Sequence, residues 1–178
     1  MTYRQAAYFK LMLLCGQTEE FVAFVDSALL EEDPISDVAL DLAFCYTDPK
    51  ESLSVLNGYL ADIGWENIDS EELYEDVRRF LGRQYTEKGL PFEETLRLTE
   101  KLALAYDAYP EPPWSPMTYA TDVYADVQEG YIDRDAFVQR MEDFWINGAE
   151  LSFSDLPAVR KKSFFSRLCA GFASLFKN

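Results

Sequence analysis

A chain of 178 residues is long enough to bury one good core. A hydrophobic content of 48%, with 15% aromatic, excludes an intrinsically disordered chain even against a net charge of −16. Histidine is absent, which removes the commonest general base, the commonest metal ligand and the usual partner of a serine or cysteine nucleophile.

The charge is unevenly spread. From Arg160 onward there are five bases and no acid, so residues 1–159 hold eleven bases against all 32 acids, a net −21. A field of that sign repels nucleic acid and anionic membranes and attracts basic proteins or cations. Cys15, Cys45 and Cys169 lie far apart in apolar stretches without C-x-x-C spacing, and read as buried free thiols of a reducing compartment. The segment Leu11–Gly16 resembles a lipoprotein signal only superficially, because its apolar run is short and Leu14 stands where a small residue is needed. No window is apolar enough to span a bilayer, and a cytoplasmic protein is expected.

In chain order, the predicted elements are helices. Thr2, with Gln5 three residues on, makes a capping box for a first helix whose Tyr3, Ala6, Ala7, Phe9, Leu13 and Leu14 place it at the centre of the fold. Thr18 caps a second, in which Phe21, Val22, Val25, Ala28 and Leu29 repeat at three and four residues up to the Glu31–Pro34 break. Ser36 caps a third, from Asp37 through Val38, Leu40, Leu42 and Phe44 to about Tyr46. Asp48 caps a fourth, with Pro49 at its first position and Glu51 completing the box, and Gly64 ends it. An Asp-Pro step opens both the third and the fourth, which suggests a helical repeat, but their interiors do not match and the period stops there. A fifth helix runs from Ser70 through Leu73, Val77, Phe80 and Leu81 to Tyr85. A sixth begins near Pro91 and carries Leu96, Leu98, Leu102 and Ala105.

Four of the eight prolines then fall within seven residues of the stretch Tyr106–Pro116, interleaved with Tyr106, Tyr109 and Trp114. No helix or central strand runs through such spacing. It reads as a rigid corner at 106–116 within one domain, between helices one to six (1–105) and a shorter series (117–178). Ser115 and Pro116 are the cap and first position of a seventh helix with Tyr119, Ala120, Val123, Tyr124 and Val127, closed by Gly130. Asp133 caps an eighth with Phe137, Met141, Phe144 and Trp145, and Gly148 lies beyond its end. Ser154 or Asp155, followed by Pro157, opens the last. Period-two alternation is missing, with Leu151–Phe153 the one doubtful spot. The expected fold is all-α, a compact single-domain bundle of about nine short helices.

Motifs for chemistry are sparse. The segment from Asp126 to Phe137 has the look of a calcium loop. Setting Gly130 at its sixth position, however, puts Ala125, Val127 and Ala136 where side-chain oxygens are required. A helix corner closed by Gly130 is the better reading. Asp122, Asp126 and Glu129 stand at i, i+4 and i+7 and form a carboxylate stripe, with Asp37 and Asp41 as a smaller pair; like charges so stacked invite a cation or the arginines of another protein. With no histidine and no second motif to complete a coordination shell, no metal is expected. No phosphate loop, nucleophile elbow or distinguished carboxylate pair occurs, so no catalytic residue and no cofactor are expected. The C-terminal stretch 160–177 is basic and then amphipathic, through Phe164, Phe165, Leu168, Phe172, Leu175 and Phe176. It reads as a final core helix, with membrane-surface or partner binding left open. Tyr106, Tyr109, Trp114 and Tyr119 with Asp107 and Glu111 form either an acidic aromatic recognition patch or a stapled linker.

In overall character, small, helical, histidine-free and very acidic, the chain resembles the immunity or antitoxin proteins of bacterial toxin systems, which neutralise basic toxin domains with complementary charge. The resemblance rests on no motif and implies no particular binding residue. The expected function is a non-enzymatic protein-binding module, an inhibitor of a basic partner in its sharpest form. A helical-repeat adaptor and a metal-assisted enzyme using clustered carboxylates are the alternatives.

Overall fold

The computed structural model describes residues 1–64, 67–106 and 111–159, which form eight α-helices around one hydrophobic core. Helix α1 (Tyr3–Leu14) opens with the expected capping box: the Thr2 hydroxyl accepts from the Gln5 amide at 3.2 Å, and the Gln5 side chain accepts from the Thr2 amide at 2.8 Å. Seven of its residues are buried, and it packs against α2 (Glu19–Glu31), α4 (Pro49–Ala61), α5 (Ser70–Thr86) and α6 (Phe92–Ala105). A helix that touches four others, three of them distant in sequence, is the centre of a bundle. A stacked repeat would meet only its neighbours.

Local chemistry explains where the helices start and stop. The Asp48 carboxylate accepts from the amides of Lys50 and Glu51, and the Asp69 carboxylate from those of Glu71 and Glu72, satisfying donors that α4 and α5 would otherwise leave open. Before α3 (Asp37–Ala43) the Ser36 hydroxyl does not cap; it donates to the Glu32 carboxylate at 2.8 Å. Helix α3 ends at Ala43, short of the expected Tyr46. Phe44, read from the sequence as part of its apolar face, stands 90% exposed at the helix end.

The second half departs further from its sequence pattern. The expected seventh helix begins as a 3-10 turn, Ser115–Tyr119, and becomes α7 only at Ala120–Gln128; Trp114, not Ser115, occupies the cap position. Helix α8 (Arg134–Glu142) is capped by Asp133, whose carboxylate accepts from the Ala136 amide at 2.9 Å. It then widens into a π-helical segment, Asp143–Asn147, stopped by Gly148 at φ 72°. Wide turns of this kind need outside support. Arg78 of α5 supplies it by donating to the carbonyls of Phe144 and Trp145.

A helix opening at Ser154 or Asp155 is not found. The Asp155 carboxylate, expected as a cap, instead takes both terminal nitrogens of Arg140 at 3.0 Å. The chain then returns across the α7–α8 corner, where the Pro157 carbonyl accepts from the Asp133 amide and Val159 donates to the Tyr131 carbonyl. An isolated bridge pairs Ile132 with Ala158, and among the described residues there is no β-strand. The basic amphipathic stretch 160–177, including Cys169, lies outside the described residues.

Among the described residues Trp114, Trp145, Phe21, Phe80, Phe137 and Phe144 are the largest fully buried side chains. The buried hydroxyls of Ser52, Thr95 and Thr99 donate to backbone carbonyls of Cys45, Pro91 and Thr95. Among the described residues no buried side-chain nitrogen or oxygen lacks a partner.

Candidate partner-binding surface

The corner aromatics divide by burial. Tyr106 and Trp114 are 4% and 1% exposed, with ring centroids 4.4 Å apart; Trp114 also meets Tyr74 edge-on at 5.4 Å and donates its indole N–H to the Ser70 hydroxyl at 3.0 Å. These two rings anchor the corner to the start of α5 and face the core, not a partner. Asp107 and Tyr109 lie outside the described residues. Glu111 is exposed, its carbonyl accepting from the amides of Trp114 and Ser115. Tyr119 is 40% exposed, its ring edge-on to Phe153 at 5.7 Å.

Helix α7 presents the carboxylate stripe. Ala120, Tyr124 and Val127 bury one face, which turns Asp122, Asp126 and Glu129 outward, and all three are exposed. None joins an ion pair among the described residues, where seven other carboxylates take up all the salt bridges. The pair Asp37 and Asp41 is joined by Asp62 and Tyr59 along a cleft of about 480 Å³ between α3 and α4.

A larger cleft, about 620 Å³, opens where the start of α6 meets the end of α5, α7 and α8. Its floor is Phe92, ringed by Tyr124 at 5.9 Å and Tyr85 at 6.5 Å and underlain by Trp145 at 5.3 Å. The Tyr85 hydroxyl donates to Glu142 at 2.6 Å and the Tyr124 hydroxyl to Glu93 at 2.9 Å, so two carboxylates from different helices are held beside one aromatic floor. The bond to Glu142 raises the Tyr85 pKa; burial, with the bond to Glu93, raises that of Tyr124. Arg97 and Arg134 also line the cleft, without ion pairs among the described residues. The sequence does not single this group out, because Tyr85 and Glu142 are 57 residues apart and Tyr124 and Glu93 are 31 apart. No local spacing signals such a pairing.

The two described cysteine thiols are withdrawn from solvent. Cys15 and Cys45 are buried and unpaired; burial pushes the Cys15 thiol up to about 11 and raises that of Cys45. Among the described residues no three acidic or cysteine side chains are grouped to hold a metal ion, and no helix is long and apolar enough to cross a membrane.

The charge excess sets how stability responds to solution conditions. Ser36 holds Glu32, Arg78 holds Glu75 and Arg140 holds Asp155 below their ordinary carboxylate values. Groups with a lowered folded pKa stabilise the fold above their unfolded values, about 4, and that contribution is lost as the pH falls through the folded values. Self-repulsion of the net −16 works in the opposite sense and weakens as acids are neutralised or salt is added. Thermal melts at low salt are therefore expected to show Tm rising from neutral pH to about 5 and falling below about 4. Added salt at neutral pH should raise Tm by roughly 3 °C, on the order of 1 kcal/mol for a chain of this size.

Fold and surface together define an acidic all-helical domain whose exposed carboxylates outnumber its cations. Compared with protein-family models, with curated proteins and with solved structures, the chain matches none.

Proposed function

We propose that this chain is a non-enzymatic binding module for a basic protein, and that it acts as an inhibitor of that partner in the manner of an immunity protein. The observation that carries the reading is the stripe of Asp122, Asp126 and Glu129, exposed on a helix whose opposite face is core and lacking any cation among the described residues. Like charges at i, i+4 spacing cost a few tenths of a kcal/mol per pair in the isolated protein, a cost that a cationic partner removes. The body charge of −21 supports the same reading, because it speeds encounter with basic proteins and repels acidic ones. Glu111 and Tyr119 are exposed as well and add to the surface open to a partner.

Affinity capture from the native host at low salt tests the proposal. The wild type is expected to retain a basic protein that salt elutes. The variant D122N/D126N/E129Q should retain roughly tenfold less, since rim and patch charges act through salt-sensitive attraction. Retention of no basic protein, or equal retention by the variant, contradicts it.

A further inference from the structure

We infer that the cleft over Phe92 is an anchor pocket for an arginine side chain of the partner, a deepening that rests on the basic-partner reading. Three features select that occupant. The floor is aromatic: Tyr124 and Tyr85 lie 5.9 Å and 6.5 Å from Phe92, and a guanidinium stacks on such rings with less loss of hydration than an ammonium. The walls carry fixed acceptors, because Glu142 and Glu93 each spend one oxygen, Oε1, on a tyrosine hydroxyl and keep Oε2 for a ligand. Each carboxylate is bonded to a tyrosine that meets the Phe92 ring, so the same cleft offers a planar fork acceptors from two helices.

Charge points the same way. Glu94 and Asp135 add to Glu93 and Glu142 against Arg97 and Arg134, leaving the cleft net negative. Its volume of about 620 Å³ takes more than one side chain, which leaves Arg97 and Arg134, exposed and without ion pairs among the described residues, to meet acidic groups that neighbour the arginine. Trp145 supports the floor from beneath and donates to Thr99, so the pocket is preformed by core packing. Arginine and tyrosine are enriched among the few residues that carry most of the binding energy at protein interfaces.

The test is an amide NMR titration of the full chain at low salt with three probes: a blocked tri-arginine peptide, its tri-lysine counterpart and inorganic phosphate. Saturable shifts at Phe92, Glu93, Val138 and Glu142 are expected with the arginine peptide, several-fold tighter than with the lysine one. Glu93→Gln and Glu142→Gln should each weaken it by about tenfold or more, as for loss of a hydrogen bond to a charged group. Phe92→Leu, which keeps an apolar floor but removes the ring, should abolish the arginine preference, and D122N/D126N/E129Q should leave the cleft shifts in place. Shifts spread over the acidic surface, equal for both peptides, would overturn the pocket and leave the binding module standing. Saturation of the cleft by phosphate and not by arginine overturns it in favour of an anion site at Arg97 and Arg134. No shift anywhere with either peptide overturns the pocket and the basic-partner reading together.

Discussion

Trp145→Ala is expected to destabilise the protein by about 3–5 kcal/mol and lower Tm by roughly 10 °C. Trp145 is 1% exposed, with ring centroids 5.2 Å from Tyr85 and 5.3 Å from Phe92, and its indole N–H donates to the Thr99 hydroxyl at 3.0 Å inside the core. Truncation empties the space beneath the Phe92 floor, and neighbours fixed on α5 and α6 cannot close it. Trp145→Phe keeps most of the packing. Because Thr99 still donates to the Thr95 carbonyl, its loss is closer to about 1 kcal/mol. Chemical denaturation with tryptophan-independent detection separates the two variants, and equal stability of Trp145→Ala and wild type would contradict the packing described. Since the same ring supports the cleft, the alanine variant should also lose arginine binding, even at temperatures where it remains folded.

Gly82→Ala is the second large effect, and its sign runs against helix propensity. Alanine in place of glycine within a helix normally stabilises by about 1 kcal/mol. At Gly82 the added Cβ would stand 2.5 Å from the Trp145 carbonyl oxygen and 3.4 Å from its carbon, backbone atoms of the π-helical segment that cannot rotate away. The segment must shift as a unit, dragging the Trp145 ring and the Arg78 bond to that carbonyl with it. Overpacking of this kind costs about 1–3 kcal/mol or more, and set against the propensity gain the net expectation is a loss of about 1–2 kcal/mol. Gly58, in α4 with nothing within 4 Å of its missing Cβ, is the control. Gly58→Ala should stabilise by about 0.5–1 kcal/mol, and two alanine variants of the same sign would contradict the close approach of α5 to the π-helical segment.

Much of the fold was legible in the sequence because helix starts are local. Thr2, Asp48 and Asp133 cap where their spacing to the first apolar residues says they should, and the apolar periodicity of α1, α5 and α6 fixes which faces meet. What failed was decided at a distance. Asp155 has the chemistry of a cap, but Arg140 on α8 claims its carboxylate and no helix starts there. Ser36 is bonded to Glu32, a competitor four residues upstream, and its hydroxyl does not cap α3. The Asp143–Asn147 turns read as a continuation of α8; their π geometry is held by Arg78, 66 and 67 residues away.

The candidate site shows the same division. The α7 stripe is written in one helix, and its exposure follows from the burial of Ala120, Tyr124 and Val127 on the opposite face. Tyr106 and Trp114 carry the composition of a recognition patch, but a proline-rich corner with two large rings beside a bundle buries them, and sequence alone does not choose between those outcomes. The Phe92 cleft is assembled from four helices and has no sequence signature at all.

The most direct test of an electrostatic binding module is calorimetric titration of the basic partner retained at low salt, repeated as salt is raised. Affinity is expected to fall steeply with salt, and more shallowly for D122N/D126N/E129Q, whose weaker field leaves less to screen. An affinity that is unchanged or tightened by salt, with the same dependence in the variant, would contradict the account.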